Sequence, residues 1–229
     1  MLKEENNQLS PLFLIIACFF VTCLLLSNII AGKLITVFGW VLPGAVILFP
    51  LTYIFGDVLT EVYGFRKARL VIWTGFGANL LMVLVFALII YIPSPGFFEG
   101  QEAFALVLGM APRVVLASLL AYFIGELTNA FILSKMKIMT AGKWLWARTI
   151  GSTLIGEGID TVVFITLAFW MLVPTEVLLQ MMLFQYIFKV SYEILATPLT
   201  YLAVGKLKNQ EGLDTFDHNV KYNPFQIKI

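Results

Sequence analysis

Residues 156–172 read GEGIDTVVFITLAFWML. From Thr161 onward the run is apolar enough to lie in a bilayer, yet Glu157 and Asp160 open it one helical turn apart. An acid at the centre of a membrane helix costs roughly 2.5–3.5 kcal/mol on insertion scales. Two acids on one face of such a helix imply an inward-facing polar surface, so the decisive question is whether the rest of the chain supplies a membrane setting.

It does. The chain has 229 residues, 60% hydrophobic and 13% charged, with a mean hydropathy of +0.91. Soluble domains carry about 25% charged residues, so the composition is that of a polytopic, all-α integral membrane protein. A formal charge of +1 with no basic block excludes a nucleic-acid partner. No P-loop is present, so the chain holds no nucleotide-driven motor. Cys18 and Cys23 share the first apolar run and read as buried thiols. The opening MLKEENNQLSP is too acidic for a signal peptide, and the run after it reads as a retained first helix.

Six apolar segments are each long enough to cross a hydrocarbon core of about 30 Å. They fall near 11–31, 41–62, 69–92, 112–134, 149–172 and 178–204. This divides the chain into an N-terminus (1–10), a six-helix domain (11–204) and a polar tail (205–229). The gaps hold the turn formers and charges, including YGFRKAR and SKMKIMTAGKWLWAR, and EAFALVLG suits a short interfacial or re-entrant helix. Lys3, Arg66, Lys67, Arg69, Lys135, Lys137, Lys143, Arg148 and the lysines of the tail fall on one side, so the positive-inside rule makes both termini cytoplasmic.

At about 1.5 Å per residue, Glu126 and Glu157 lie ~12 Å inside that face. Asn79, Asp160 and Glu193 lie at ~15–17 Å, and Lys189 near ~22 Å. The polar residues also form stripes. Ser118, Tyr122, Glu126 and Asn129 share one helix face; so do Thr153, Glu157 and Asp160, and so do Gln185, Lys189, Glu193 and Thr197. Lys189 and Glu193, four apart, can pair with each other. Asn79 and Ser118 suit helix packing. The acids outnumber the one nearby base, so the face awaits hydrogen-bond donors. Asp57 and Glu61, near Arg66, Lys67 and Arg69, form either an interfacial ion-pair cluster or a gate latch.

The runs FGDVLTEVYGFRKAR, ASLLAYFIGELTNAFILSKMK, TAGKWLWARTIGSTLIGEGIDT and KVSYEILATPLTY resemble the queuosine precursor transporter family, also called the VUT family. The D-x-x-T-E-x-Y-G and R-x-x-x-S-T-x-x-G-E-x-x-D patterns carry the resemblance, which covers Ser27 to Lys208. It implies a bacterial inner-membrane importer of 7-cyano-7-deazaguanine, 7-aminomethyl-7-deazaguanine or a related 7-deazapurine, used to make the tRNA nucleoside queuosine. It also implies six helices related to the substrate-binding subunits of energy-coupling-factor vitamin importers.

The residue chemistry suits such a cargo. A guanine-like base offers two adjacent donors, and a carboxylate accepts both. Glu157 or Asp160 is the first candidate for that edge and Glu126 the second. Asn79 and Asn129 can read the remaining edge, and Trp73, Tyr122, Phe164 or Tyr186 can stack on the base. Lys189 and Glu193 would form a wall, and Asp57, Glu61, Arg69 and Arg148 the gate or cytoplasmic mouth. No cofactor and no metal is implied. Proton coupling and homodimer formation are left open.

Two rival readings remain. A binding subunit of an ATP-driven importer often carries small residues four apart on its first helix, but here Ala17 is followed by Val21. An intramembrane enzyme would need a catalytic constellation, and the lone His218 sits in the tail.

Overall fold

The computed structural model describes residues 9–30, 33–37, 40–109, 112–218 and 220–226. The expected N-terminal segment therefore lies almost wholly outside the described residues. The elements are α1 (Pro11–Ile30), β1 (Leu34–Val37), β2 (Trp40–Pro43), α2 (Phe49–Tyr63), α3 (Phe65–Tyr91), α4 (Gln101–Leu108), α5 (Pro112–Met139), α6 (Leu145–Phe169) and α7 (Thr175–Glu211).

The second apolar segment is not one helix. β1 and β2 pair antiparallel, Leu34 opposite Pro43 and Val37 opposite Trp40, and a 3-10 turn over Gly44–Ile47 leads into α2. Apolar content cannot separate a strand from a buried helix. Pro43 and Pro50 decide here: the first closes the strand, and the second sits in the first turn of α2, where its missing N–H costs nothing. α2 keeps 15 residues, or ~22 Å. Among the described residues, four helices are long and apolar enough to cross a membrane: α1, α3, α5 from Val114, and α6. α7 is longer, at 37 residues, but more polar.

Two expected gaps are mostly helix. Only Gly64 separates α2 from α3, so Arg66, Lys67 and Arg69 belong to the first turns of α3. Gly64 has φ 84°, and a side chain there would meet Thr215 Cγ2 at 2.8 Å. α5 continues through Lys135 and Lys137, and α6 begins before Arg148. The end of an apolar run marks where lipid ends, whereas Lys and Arg continue a helix readily. The short helix expected in EAFALVLG forms as α4, with no buried side chain.

α2 packs against α1, α3, α5 and α7, and α6 is clasped between α5 and α7. The burial pattern is inverted relative to a soluble bundle. α6 buries Thr149, Ser152, Thr153, Glu157 and Thr161, while Leu81, Leu84 and Leu88 of α3 and Leu195, Leu199 and Leu202 of α7 are exposed. Water would oppose that arrangement, and lipid favours it. The molecule is a multi-pass membrane protein. Its apolar core, built on Phe13, Phe20, Val58, Leu59, Val62 and Phe65, lies toward the basic end.

Candidate functional site

Two glycines bring the acids together. A Cβ on Gly125 would lie 2.7 Å from Asp160 Cβ, and one on Gly156 would lie 2.7 Å from Asn129 Cβ. α5 and α6 thus meet backbone to backbone, as small residues allow in membrane bundles. Glu126 and Asn129 are placed against Glu157 and Asp160. Lys189 reaches across from α7, donating to Glu157 Oε2 at 2.8 Å and to Asp160 Oδ2. It does not take the i, i+4 partner that spacing offered, Glu193. Tyr53 of α2 lies against this group, its ring centroid 5.9 Å from Lys189 Nζ.

A second group lies beside the first. Asn129 Nδ2 donates to Asp57 Oδ1 at 2.9 Å, and the carboxyl of Glu193 acts electrostatically on that of Asp57. Asp57 Oδ2, Asn129 Oδ1 and Glu193 Oε1 are buried without partners. Glu126, 5% exposed, lies within the electrostatic influence of Glu157, Asp160, Lys189 and Glu193. Among the described residues it accepts no hydrogen bond. Sequence proximity assigned Asp57 to the mouth, but one helical turn separates its surroundings from those of Glu61, and it belongs to this interior group.

Glu61 is fully buried and well compensated. Its Oε1 takes Arg148 Nη2 at 2.8 Å and Lys208 Nζ at 2.7 Å, with Lys137 Nζ at 3.5 Å. These cations come from α6, α7 and α5, not from the neighbouring Arg66, Lys67 and Arg69. Lys137 also donates to the Glu61 carbonyl at 2.5 Å and to the Thr215 carbonyl at 2.8 Å.

The tail, expected to be a plain polar end, folds back over this basic end. Asp217 Oδ2 accepts the Phe65 N–H at 2.9 Å and the Ser134 hydroxyl at 2.6 Å, capping α3. Asp214 takes Lys137 at 2.5 Å and Lys208 at 2.8 Å. Burial pushes the Asp214 carboxyl up, but those lysines outweigh it and hold the group below the usual carboxylate range. Arg69 donates to the carbonyls of Lys221 and Asn223, and Trp73 Nε1 to that of Pro224 at 2.8 Å. The Trp73 ring packs among Phe76, Phe123 and Phe225. Arg69 and Trp73 therefore anchor the tail and are not brought to the acids.

Two other stacking candidates also lie elsewhere. Phe164 packs edge-on against Phe169, and Tyr186 donates to the Leu154 carbonyl beside an apolar groove open between α6 and α7. Tyr122 stays close, donating to the Ile72 carbonyl one turn from Glu126. Asn79 accepts from Asn28 Nδ2 at 2.7 Å, and Asn28 in turn accepts from Ser118; the Asn79 amide Nδ2 has no partner. Sequence reasoning missed Tyr53, Asn28, Lys137, Lys208, Asp214 and Asp217. For Asp214 and Asp217 the one signal was a pair of acids in an otherwise unremarked tail.

A polar column inside an apolar-faced helical bundle is an arrangement that suits a membrane transporter. A family model described as "Putative vitamin uptake transporter" matches residues 43–203, and the chain belongs to that family. A "Probable queuosine precursor transporter" of Bacillus subtilis (strain 168) is 27% identical over 186 residues, 81% of each chain. The "Queuosine precursor transporter" of Escherichia coli (strain K12) is 25% identical over 144 residues, 63% of this chain and 62% of that one. A "Probable queuosine precursor transporter" of Haemophilus influenzae is 25% identical over 122 residues, 53% of this chain and 49% of that one. No solved structure matches the chain. The protein is a transporter and not an enzyme.

Proposed function

We propose that this protein imports a queuosine precursor, 7-cyano-7-deazaguanine, 7-aminomethyl-7-deazaguanine or a related 7-deazapurine, across the bacterial inner membrane. Six segments cross: α1, α2 extended by the β-hairpin, α3, α5, α6 and α7, with both termini cytoplasmic. The relatives' names support the cargo, and the basic residues gathered at one end support the orientation. The observation that carries the site is Glu126, a buried carboxylate without a donor, beside the unpartnered Asn129 Oδ1.

A deazaguanine presents N1–H and its exocyclic amine side by side, and Glu126 can accept both. Asn129 supplies a further acceptor and Asn79 a free donor. Tyr122 lies one turn from Glu126 on α5. Glu157 and Asp160, the first candidates from sequence, already share Lys189, so Glu126 takes the leading place and they form the wall.

The test is restoration of queuosine in tRNA. A cell unable to make the precursor, fed it at low concentration, should regain queuosine only when it expresses this chain. If restoration also requires a co-expressed ATPase module, the chain is a binding subunit and not a self-sufficient importer.

A further inference from the structure

The interior acids fall into two groups of different character. Glu157 and Asp160 share the Lys189 ammonium. Among the described residues, no Lys or Arg forms an ion pair with Asp57, Glu193 or Glu126. Asp57 and Glu193 are each 1% exposed, on packed helices, and their carboxyl groups act electrostatically on one another. An ionised carboxylate only accepts hydrogen bonds, so a bond between two carboxyl groups requires a proton on one. Asn129 fixes the arrangement by holding Asp57 Oδ1, which leaves Asp57 Oδ2 and Glu193 Oε1 buried and unmet. The amide's own Oδ1, in a side chain 5% exposed, is unmet as well. The cluster is short of donors on every side, and a mobile proton is the smallest ligand that supplies one.

We propose that the Asp57–Glu193 carboxyl pair is a proton-carrying site and that import is coupled to proton entry through it. The inference rests on the import reading. Every packed element bears on the pair: Glu61 from α2 itself, Glu126 and Asn129 from α5, Glu157 from α6, and Lys189 one turn along α7. From α1 and α3, Ser27, Asn28 and Asn79 turn inward, and Arg69 is buried against the tail. Glu126 interacts electrostatically with both the pair and the Glu157–Asp160 wall, so cargo bound at Glu126 changes the field at the pair. From Asp57, one turn of α2 leads to Glu61 and its cations at the basic end. One proton enters with each cargo molecule and leaves on the cytoplasmic side; no bond in the cargo is made or broken.

The experiment uses the purified full-length protein in liposomes with radiolabelled 7-cyano-7-deazaguanine, which is uncharged. With the outside one pH unit more acidic and the membrane potential clamped at zero by equal potassium on both sides and valinomycin, one proton per cargo should drive accumulation to about tenfold at equilibrium. Adding cargo without an imposed gradient should make the external medium more alkaline. In Asp57→Asn and Glu193→Gln, whatever exchange of labelled for unlabelled cargo remains should no longer respond to the gradient. Wild-type uptake that ignores the gradient and moves no protons overturns the proposal, and so does gradient-driven accumulation that survives in both variants. Should the variants fail to exchange at all, the wild-type proton signal decides alone. Absence of any exchange by the wild-type protein would instead overturn the import reading.

Discussion

Without the Lys189 ammonium, Glu157 and Asp160 would be left buried beside Glu126 and Glu193 with no opposite charge. Breaking a buried ion pair from one side costs roughly 3–5 kcal/mol. Lys189→Met should therefore lower the unfolding temperature of the detergent-solubilised protein, and Glu157→Gln added to it should recover part of the loss. Scanning fluorimetry on the three proteins checks this, and an unchanged midpoint in Lys189→Met would remove the triad from the account. Glu126→Gln behaves differently, because the side chain has no partner to orphan. It should leave stability near wild type and weaken binding of 7-cyano-7-deazaguanine by roughly 10- to 150-fold, the equivalent of one lost charged hydrogen bond. Equilibrium binding to the purified variant gives the answer. The inward acids were legible in the sequence, since helical spacing placed each on a shared face. Which cation meets which acid was not legible: Lys189 had Glu193 four residues away, yet its partners came from α6.

Between α5 and α6 the spacing is set by Gly125 and Gly156. Gly156→Leu would drive a side chain into Asn129, where a Cβ alone already falls 2.7 Å from its neighbour. Overpacking costs about 1–3 kcal/mol or more, and here it would also separate Asn129 from Asp57. The variant should lose both thermal stability and cargo binding, while Gly205→Leu, at an open position on α7, should lose neither. Most elements were legible because a bilayer demands long apolar runs. The exceptions have local causes. Two prolines turned the first part of the second segment into the end of one hairpin strand and a 3-10 turn, the other strand forming in the expected gap before it. Basic residues taken for loops extended α3, α5 and α6 past the apolar region.

At the level of the whole molecule, orientation is tested by cysteines in a cysteine-free background. Glu99→Cys should react with an impermeant reagent from outside and Asn209→Cys only after permeabilisation; the reverse would invert every depth argument. The tail has its own pH dependence. Asp214 has a folded value below its unfolded one, so its contribution is present above about pH 4 and is lost as pH falls through the folded value. Protease sensitivity of residues 213–226 should rise on acidification through that range, and Asp214→Asn should show the rise already at neutral pH. The tail's docking could not be read from its composition, because its anchors are backbone carbonyls and two aspartates whose partners lie on helices far away in sequence.

The compensation of α2 also bears on how the chain enters the bilayer during synthesis. α2 carries Asp57 and Glu61, yet Asn129, Lys137, Arg148, Glu193 and Lys208 all emerge from the ribosome later. Until they arrive, both acids lack partners. An acid at the centre of the bilayer costs roughly 2.5–3.5 kcal/mol and one nearer the basic end, as Glu61 is, less, and a 15-residue helix offers little apolar surface against it. α2 is therefore expected to wait at the insertion channel and to partition only when α5 to α7 can receive it. A nascent chain halted after Gly109 should leave α2 open to aqueous labelling, and one released at full length should not.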